Sequence, residues 1–278
     1  MPSAPFPGIE IYHHGDHYAV LDAGSQVLQW TPTGHNPVLW VSPLASFDPG
    51  VAVRGGVPVV FPWFGAGPDG DRRPSHGFAR TATWRRTAVT NELVAAGRLE
   101  VRHTLDAADF DSEPFEAELV ATFTQRRLTI SLGVTNTGTG TFRYEEALHT
   151  YLAVSEAGLV SVGGLDGCRY LDKADDAGPD ERVQAGDVRF DGEVDRVYRH
   201  TGDAVLDDPA WGRRVLVGKA GSANTVVWNP GERKGTALAD VGRSWPDFVC
   251  IEAGNVRDEA IELPPGERHT LTQTITVS

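Results

Sequence analysis

A histidine lies in the middle of the strand-like segment EEALHTYLAV, which covers residues 145–154. With the two-residue period of a β-strand, Leu148, Leu152 and Val154 share one face, and His149 lies on the other. An imidazole, with a reference pKa of about 6.5, can accept or donate a proton near neutral pH. From these residues alone, His149 is a hydrogen-bonded structural group, a metal ligand or a proton carrier.

A glutamate has a comparable position in the segment DFVCIEAGN, residues 247–255. Val249, Ile251 and Ala253 alternate onto one face, and Glu252 lies on the opposite one. A carboxylate near the end of an apolar strand is commonly solvated at the rim of a sheet. If the fold instead brings it close to an imidazole, the two groups can act as general base and general acid.

Two further segments combine glycine and proline with cationic side chains. RGGVPVVFPWFG begins with Arg54, and its two glycines permit close backbone approach. SHGFAR places His76 and Arg80 within six positions. Guanidinium groups can donate paired hydrogen bonds to a phosphate. The alternative is that the glycines only form turns and that Arg80 covers apolar surface with its stem.

The net charge limits the kinds of partner. The 278-residue chain has a formal net charge of −13 and no strongly basic run, so we expect no nucleic-acid partner, which would need cations to displace the counterions of a phosphate backbone. A small anion can still bind, but only through a local cluster of cations, because salt screens the field of the whole molecule beyond about 8 Å.

Other chemistries have weaker support. His13, His14 and His17 form an HHxxH cluster, but it lies in a hydrophilic turn with no helix to align two ligands, so we expect no metal site. A serine hydrolase is not favoured because there is no GxSxG segment. A glycosidase needs two carboxylates that flank one bond, whereas the adjacent Glu145 and Glu146 point to opposite faces of a strand.

The cysteines and the N-terminal segment indicate where the protein works. Cys168 and Cys250 lack any CxxC spacing, which is typical of free thiols in a reducing compartment. We see neither a signal peptide at the start of this sequence nor a membrane-spanning apolar run. We therefore expect a cytoplasmic protein that does not bind a membrane.

The elements that must position these side chains are β-strands. The 31 glycines and 18 prolines are spread along the chain, no stretch keeps a helical period, and polar loops are predicted at 65–75, 106–114 and 172–187. A short basic turn joins FEAELVATFTQ to RLTISLGVTN as an antiparallel hairpin. The sequence predicts one all-β domain over 1–278, an antiparallel sandwich or barrel with little helix. Further strands are predicted at HYAVLDA, QVLQWTP, VLWVSP, RLEVRHTL, TFRYEEALHTYLAV, RRVLVGKA, NTVVWNP, DFVCIEAG and HTLTQTITVS.

Taken in order, five segments resemble one family. RGGVPVVFPWFG, SHGFAR followed by TATW, EEALHTYLAV, NTVVWNPGERKG and DFVCIEAGNV together resemble the hexose-6-phosphate mutarotases, also called glucose-6-phosphate 1-epimerases, within the aldose 1-epimerase group. The resemblance runs from about Gly24 to the C-terminus, and the ordered set is far more specific than any one segment. It implies a galactose mutarotase-like β-sandwich and an isomerase that interconverts sugar anomers without a cofactor.

The resemblance also implies roles for particular residues. His149 corresponds to the histidine that acts on the ring oxygen, and Glu252 to the glutamate that acts on the anomeric hydroxyl. Arg54 and Arg80 correspond to the arginines that face the substrate phosphate. The acid of FDGEVDRVY, Asp195, corresponds to the residue that meets sugar hydroxyls.

Two further positions are implied to lie in the same pocket. His76 precedes the glycine of SHGFAR. Ser75 stands where some family members have glutamine, so it is expected to make a weaker or water-mediated contact. From the segment around His149, we expect Glu145 and Tyr151 to orient the imidazole.

The alternative functions are an epimerase of unphosphorylated aldoses and a non-catalytic carbohydrate-binding protein that uses its seven tryptophans. We expect a monomer that binds a small sugar phosphate.

Overall fold

The computed structural model describes residues 8–174 and 180–278, and its elements are mostly β-strands. In chain order the strands are β1 (Gly8–His13), β2 (Asp16–Leu21), β3 (Val27–Thr31), β4 (Val59–Val60), β5 (Arg85–Glu92), β6 (Arg98–Asp106), β7 (Phe115–Phe123), β8 (Arg127–Asn136), β9 (Phe142–Tyr144), β10 (Glu146–Leu148), β11 (Tyr151–Ala153), β12 (Ser161–Gly163), β13 (Arg169–Asp172), β14 (Asp180–Val183), β15 (Val194–Arg199), β16 (Ala204–Asp208), β17 (Arg213–Ala220), β18 (Asn224–Asn229), β19 (Phe248–Asn255), β20 (Ile261–Leu263) and β21 (Arg268–Val277). The helical elements of the described residues are short: α1 (Leu93–Ala96), α2 (Gly231–Ala237) and 3-10 turns at Ala107–Asp109, Ala157–Leu159, Gly242–Asp247 and Arg257–Glu259.

Two large antiparallel sheets form the body of the molecule. One, which we call the site sheet, has the order β14-β13-β15-β18-β19-β10-β4, with β11 also paired to β19. The other, the back sheet, has the order β12-β16-β17-β21-β8-β7-β6-β5. Smaller sheets pair β1, β2 and β3, and β9 with β20.

The two large sheets pack face to face around one core. Strand β19 directs Val249 and Ile251 into this core, and β21 contributes Leu271 and Ile275 from the back sheet. Burial of each such side chain stabilises the fold by about 1.5–3 kcal/mol. A polar contact also joins the sheets, since Gln273 Nε2 donates to the Ile251 carbonyl at 3.0 Å. The predicted all-β sandwich with little helix is confirmed.

The predicted hairpin is also confirmed. Strands β7 and β8 pair antiparallel, with Phe123 opposite Leu128 at the turn. Phe115, Ala117 and Leu119 alternate into the core from β7, as the two-residue period requires.

Some predicted elements differ from the observed ones. The segment 38–43 is not a strand and pairs through isolated bridges at Leu39 and Val41, because its partner changes from Leu152 to Gly55 between these two residues. The edge strand β5 was not predicted, because its side chains are nearly all exposed and show no apolar alternation.

The predicted loop 172–187 was partly wrong. It contains strand β14, which pairs with β13 at the edge of the site sheet; residues 175–179 of this loop lie outside the described residues. Strands β12, β13, β15 and β16 were also not predicted, because they are short or carry charged residues that obscure the alternation. Among residues 8–174 and 180–278, no helix combines the length and apolar character needed to span a bilayer.

Candidate active site

A cavity of about 380 Å³ opens on the face of the site sheet that is turned away from the back sheet. This volume is within the range of known small-molecule sites. All seven side chains that the family resemblance assigns to the site line it, together with several that were not predicted. The lining residues are Arg54, Phe64, Ser75, His76, Arg80, His149, Lys173, Asp195, Val226, Trp228, Lys234, Leu238 and Glu252.

Neighbouring rows of side chains cross the site sheet to form the floor of this cavity. Each row takes one residue from β15, β18 and β19 and one from the segment that includes β10 and β11. The first row is Val197, Val226, Glu252 and His149, and the second is Asp195, Trp228, Cys250 and Tyr151. His149 falls opposite Glu252 because the flanking pairs, Leu148 with Ala253 and Tyr151 with Cys250, keep one register.

The strand that carries His149 is interrupted at this point. The backbone N–H of His149 donates to the Pro58 carbonyl at 3.0 Å, and Ile251 N–H donates to the Thr150 carbonyl at 3.2 Å. Strands β10 and β11 are therefore separate elements, and the prediction of one continuous strand through this segment was wrong. The alternation of faces survives, because Leu148 joins the core between the large sheets while His149 faces the cavity.

His149 and Glu252 are close and buried. The distance between His149 Nε2 and Glu252 Oε1 is 3.4 Å, and the side chains are 9% and 1% exposed. The imidazole stacks on the Tyr151 ring at a centroid distance of 4.8 Å. Within the described part of the chain, His149 Nδ1 and Glu252 Oε2 have no hydrogen-bond partner. Unpaired buried polar atoms are uncommon in folded proteins and here mark the floor of the cavity.

Burial moves both groups toward their uncharged forms. It lowers the pKa of His149 well below its usual value, and the neighbouring His76, Arg54 and Arg80 lower this pKa further. Burial raises the pKa of Glu252 well above its usual value, with a further contribution from the Asp195 carboxylate. Both shifts favour the arrangement in which a proton shared by the two groups is on the carboxyl group and the imidazole is neutral.

Arg54 is already held by two protein groups. Its Nε donates to Asp240 Oδ2 at 2.9 Å, and its Nη1 donates to the Tyr151 hydroxyl at 2.8 Å. Gly55, with φ +122°, allows the backbone beside Arg54 to approach Val41, where an added Cβ would lie 2.4 Å from the Val41 Cα atom. Because Nε and one N–H of Nη1 are occupied, only the outer N–H groups of Arg54 remain for an anion.

Arg80 has fewer hydrogen-bond partners among the described residues than Arg54. Its Nη2 donates to the backbone carbonyl of Ser75 at 2.5 Å, and its Nε is buried with no partner among the described residues. Gly77 permits this arrangement: it has φ +75°, and a Cβ there would lie 2.0 Å from the Phe61 carbonyl oxygen. Ser75 is exposed at the cavity edge.

The other cations of the cavity each have an acidic partner. Arg54 pairs with Asp240, Lys173 with Asp195 at 3.0 Å, and Lys234 with Glu193 at 2.6 Å. In the described part of the chain, Arg80 forms no ion pair. The uncompensated positive charge of the cavity wall is therefore that of Arg80.

His76 faces His149 as a neutral ring. The centroids of these two rings are 5.8 Å apart. Gly65 N–H donates to His76 Nδ1 at 3.2 Å, so the proton of the neutral imidazole is on Nε2. Burial, followed by the charges of Arg80 and Lys173, lowers the pKa of His76 to about 3.

This shift predicts a pH dependence of stability. The unfolded chain protonates His76 below about pH 6.5, whereas the folded protein resists protonation until about pH 3. The free energy of unfolding therefore decreases as the pH falls between these values, by up to about 1.4 kcal/mol per pH unit for this residue. Replacing His76 with Asn, which tolerates its φ of +64°, should make the decrease shallower.

Urea unfolding at pH 7 and pH 5 would measure this difference. His14→Asn is a matched control, because His14 also has a positive φ of 48° but lies exposed in the β1–β2 turn. If His76→Asn and wild type lose stability equally between the two pH values, the burial assigned to His76 is wrong.

The sequence pattern of the aldose 1-epimerase family matches residues 8–276. The chain belongs to the aldose 1-epimerase family. This membership confirms the resemblance drawn from the five ordered segments.

Individual family members give the same result. A protein of Escherichia coli K12 named "putative glucose-6-phosphate 1-epimerase" is 36% identical over 234 residues, which cover 82% of this chain and 76% of the relative. A Salmonella typhimurium protein of the same name is 34% identical over 259 residues, 92% of this chain and 85% of the relative. The crystal structure of a "putative mutarotase" from Salmonella typhimurium superposes with a TM-score of 0.88 at 29% identity, covering 98% of this chain and 90% of the other. The predicted galactose mutarotase-like fold is confirmed.

Sequence reasoning missed several side chains of the cavity. Phe64, Trp228 and Lys234 lie within segments that carried the family resemblance, but nothing in their local pattern distinguishes a cavity wall from a core or surface position. Lys173 lies in the predicted polar loop 172–187. Its position opposite Asp195 depends on the pairing of β13 with β15.

The prediction that Glu145 and Tyr151 orient His149 needs correction. The Glu145 carboxylate accepts hydrogen bonds from the backbone N–H groups of Phe64 and Arg257, at 3.0 and 2.5 Å, so it ties two loops together. The Tyr151 hydroxyl bonds Arg54 rather than the imidazole. Tyr151 contributes only its ring, which stacks on His149.

Two other sequence features lie away from the cavity. His17 Nε2 contacts Glu10 at 3.0 Å, and no cluster of three or more potential metal ligands occurs among residues 8–174 and 180–278. Glu146 accepts from Asn255 Nδ2 at 2.9 Å and lies 3.1 Å from His269 Nε2. Neither Glu145 nor Glu146 lines the cavity, which removes the adjacent carboxylates considered for a glycosidase.

Proposed function

We propose that this protein interconverts the α and β anomers of a hexose 6-phosphate, the reaction named for its relatives, by proton transfer through Glu252 and His149. The observation that carries the proposal is the distance of 3.4 Å between Glu252 Oε1 and His149 Nε2 on the floor of the cavity. O1 and the ring oxygen of a pyranose are bonded to the same carbon. A base for one and an acid for the other must therefore lie side by side, as these groups do.

The reaction can proceed with one proton on the pair. With the closed sugar, the Glu252 carboxylate takes the proton of O1 and the His149 imidazolium gives a proton to the ring oxygen as the bond between C1 and that oxygen breaks. The products are an open-chain aldehyde, a protonated Glu252 and a neutral His149. After rotation about the C1–C2 bond, the two transfers run in reverse and close the ring on the other face.

The substrate phosphate favours the charged state that ring opening requires. Arg54 and Arg80 both lower the pKa of His149. A phosphate that carries close to two negative charges offsets these cations, so the bound substrate favours transfer of the shared proton from Glu252 to His149. Phosphate binding thus supports proton transfer as well as affinity.

The arginines also support a phosphorylated rather than a neutral substrate. A neutral hexose would leave the Arg80 guanidinium, which forms no ion pair among the described residues, without an anionic partner in the cavity, which costs free energy at low dielectric. An epimerase of unphosphorylated aldoses would gain nothing from this uncompensated cation.

Anomer exchange measured by NMR on glucose 6-phosphate and on glucose would test the proposed substrate class. We expect acceleration over buffer for the phosphorylated sugar, with a kcat/KM at least tenfold above that for glucose. Equal values for the two sugars would favour the unphosphorylated aldose as substrate. Tight sugar binding with no acceleration of exchange would indicate a binding protein instead.

We further propose that the chain acts as one domain and as a monomer in the cytoplasm. One hydrophobic core includes residues from both large sheets, and Cys168 and Cys250 are both free thiols, as expected in a reducing compartment. Light scattering of the purified protein would test the monomer: a mass near 30.0 kDa is expected, and a multiple of it would contradict the proposal.

A further inference from the structure

Lys173 is fixed at the cavity wall by several contacts with neighbouring groups. Its Nζ donates to Asp195 Oδ1 at 3.0 Å and to Asp195 Oδ2 at 3.1 Å. Its backbone N–H donates to the Asp195 carbonyl at 2.8 Å. The ammonium also lies 5.2 Å from the centroid of the Phe64 ring, a cation–π distance. Asp195 therefore holds Lys173 at two points: its carbonyl oxygen accepts from the Lys173 backbone, and its carboxylate accepts from the Lys173 ammonium.

Asp195 is suited to contact a sugar ring. It lies on the cavity floor one row away from Glu252, and its side chain is only 14% exposed. Each carboxylate oxygen accepts one bond from Lys173 and retains capacity for another acceptor interaction. A carboxylate whose two oxygens are fixed can accept from two neighbouring hydroxyls of a ring at once.

We propose that Lys173 is a positioning residue, which holds the Asp195 carboxylate in the orientation that binds the sugar hydroxyls and keeps its charge compensated beside Glu252. This inference rests on the proposed function, because it assumes a sugar in the cavity. Lys173 acts through Asp195 and takes no part in the proton transfers.

The charges around Glu252 support this second part of the role. Asp195 raises the pKa of Glu252, whereas Lys173 and Arg80 lower it. His149 also faces the carboxylate, across the strand pair. Loss of Lys173 leaves the negative charge of Asp195 uncompensated, which raises the pKa of Glu252 further. Loss of the Asp195 charge lowers the pKa of Glu252.

A double-mutant cycle on anomer exchange of glucose 6-phosphate would test the proposal. Lys173→Met should raise KM by about 10-fold or more, because Asp195 loses the charged hydrogen bonds that hold it in position for the sugar hydroxyls. In an Asp195→Asn background the same change should alter KM less than twofold. Lys173→Arg should retain KM within about threefold of wild type, because arginine also pairs with a carboxylate and stacks on an aromatic ring.

The pH profile gives a readout that a merely structural role would not move. The pair of Glu252 and His149 must hold one proton for the cycle, so loss of that shared proton sets the alkaline limit of kcat. Lys173→Met should shift this limit to higher pH, and Asp195→Asn should shift it to lower pH. Lys234→Met is the matched control, because this lysine also lines the cavity but pairs with Glu193. Its effects on KM and on the alkaline limit should add independently to those of Asp195→Asn.

The outcomes separate the inference from the function on which it rests. If folded wild type does not accelerate anomer exchange, the proposed function is wrong. If wild type is active but Lys173→Met has no effect, or has its full effect in the Asp195→Asn background, only the positioning role is wrong. If Lys234→Met is coupled to Asp195→Asn as strongly as Lys173→Met is, the positioning role of Lys173 is also wrong.

Discussion

Replacing Glu252 with Gln, or His149 with Asn, is expected to slow anomer exchange of a hexose 6-phosphate by about 10²–10⁴-fold. Each change removes one of the two groups that must exchange a proton with the sugar. The double variant should be little slower than the slower single variant, because a proton path interrupted at one residue gains nothing from the other. Exchange rates at saturating substrate would measure all three losses.

Stability measurements would show that these losses do not come from misfolding. The folded protein raises the pKa of Glu252, so its protonated state is favoured by folding, and that stabilisation is lost as the pH rises above the unfolded value of about 4.5. A glutamine has the same shape and no proton to lose. Glu252→Gln should therefore be at least as stable as wild type at pH 7, and a lower Tm would contradict the burial assigned to this carboxyl. Full activity in either single variant would refute the assigned roles.

Replacing Arg80 with Met is expected to raise KM for glucose 6-phosphate by about 10- to 100-fold, the loss of a hydrogen bond to a charged group of about 1.5–3 kcal/mol. Arg80 forms no ion pair among the described residues, and its buried Nε has no partner there. Arg80 lines the cavity, so a phosphate can accept hydrogen bonds from its accessible N–H groups and supply the anion that the protein does not. Steady-state exchange rates over a range of substrate concentrations would measure KM.

The Arg54–Asp240 ion pair provides a matched comparison. The double change Arg54→Met with Asp240→Asn removes a cation and an anion together, so the net charge of the cavity is unchanged, and its KM should rise less than that of Arg80→Met. Arg126→Met, in the exposed turn between β7 and β8, should leave KM unchanged. A larger effect from the neutral Arg54–Asp240 replacement than from Arg80→Met would contradict the charge distribution described for the cavity.

The faces of the key strands could be predicted from the sequence. Val249 and Ile251 alternate with Glu252 in a strand buried along its whole length, and Leu148 and His149 alternate in the same way. This pattern is local, so it survives the interruption of the ladder beside His149. The segments that carry Arg54, Arg80 and Asp195 could be identified only through the resemblance to a family.

The contacts between distant residues could not be predicted. The 3.4 Å separation of His149 and Glu252 depends on the register between two strands that are far apart in the chain. The pairing of Arg54 with Asp240 depends on a loop after α2, and that of Lys173 with Asp195 on an unpredicted strand pair. Alternation indicates which face a side chain occupies, but not which residue lies opposite it.

Magnetisation transfer between the anomeric protons of α- and β-glucose 6-phosphate tests the central claim most directly. Wild type at neutral pH should give exchange well above the spontaneous rate, and equal concentrations of Glu252→Gln and His149→Asn should give exchange at least 100-fold slower than wild type. If folded wild type gives only the spontaneous rate, or if either variant is as fast as wild type, proton transfer by this pair is contradicted.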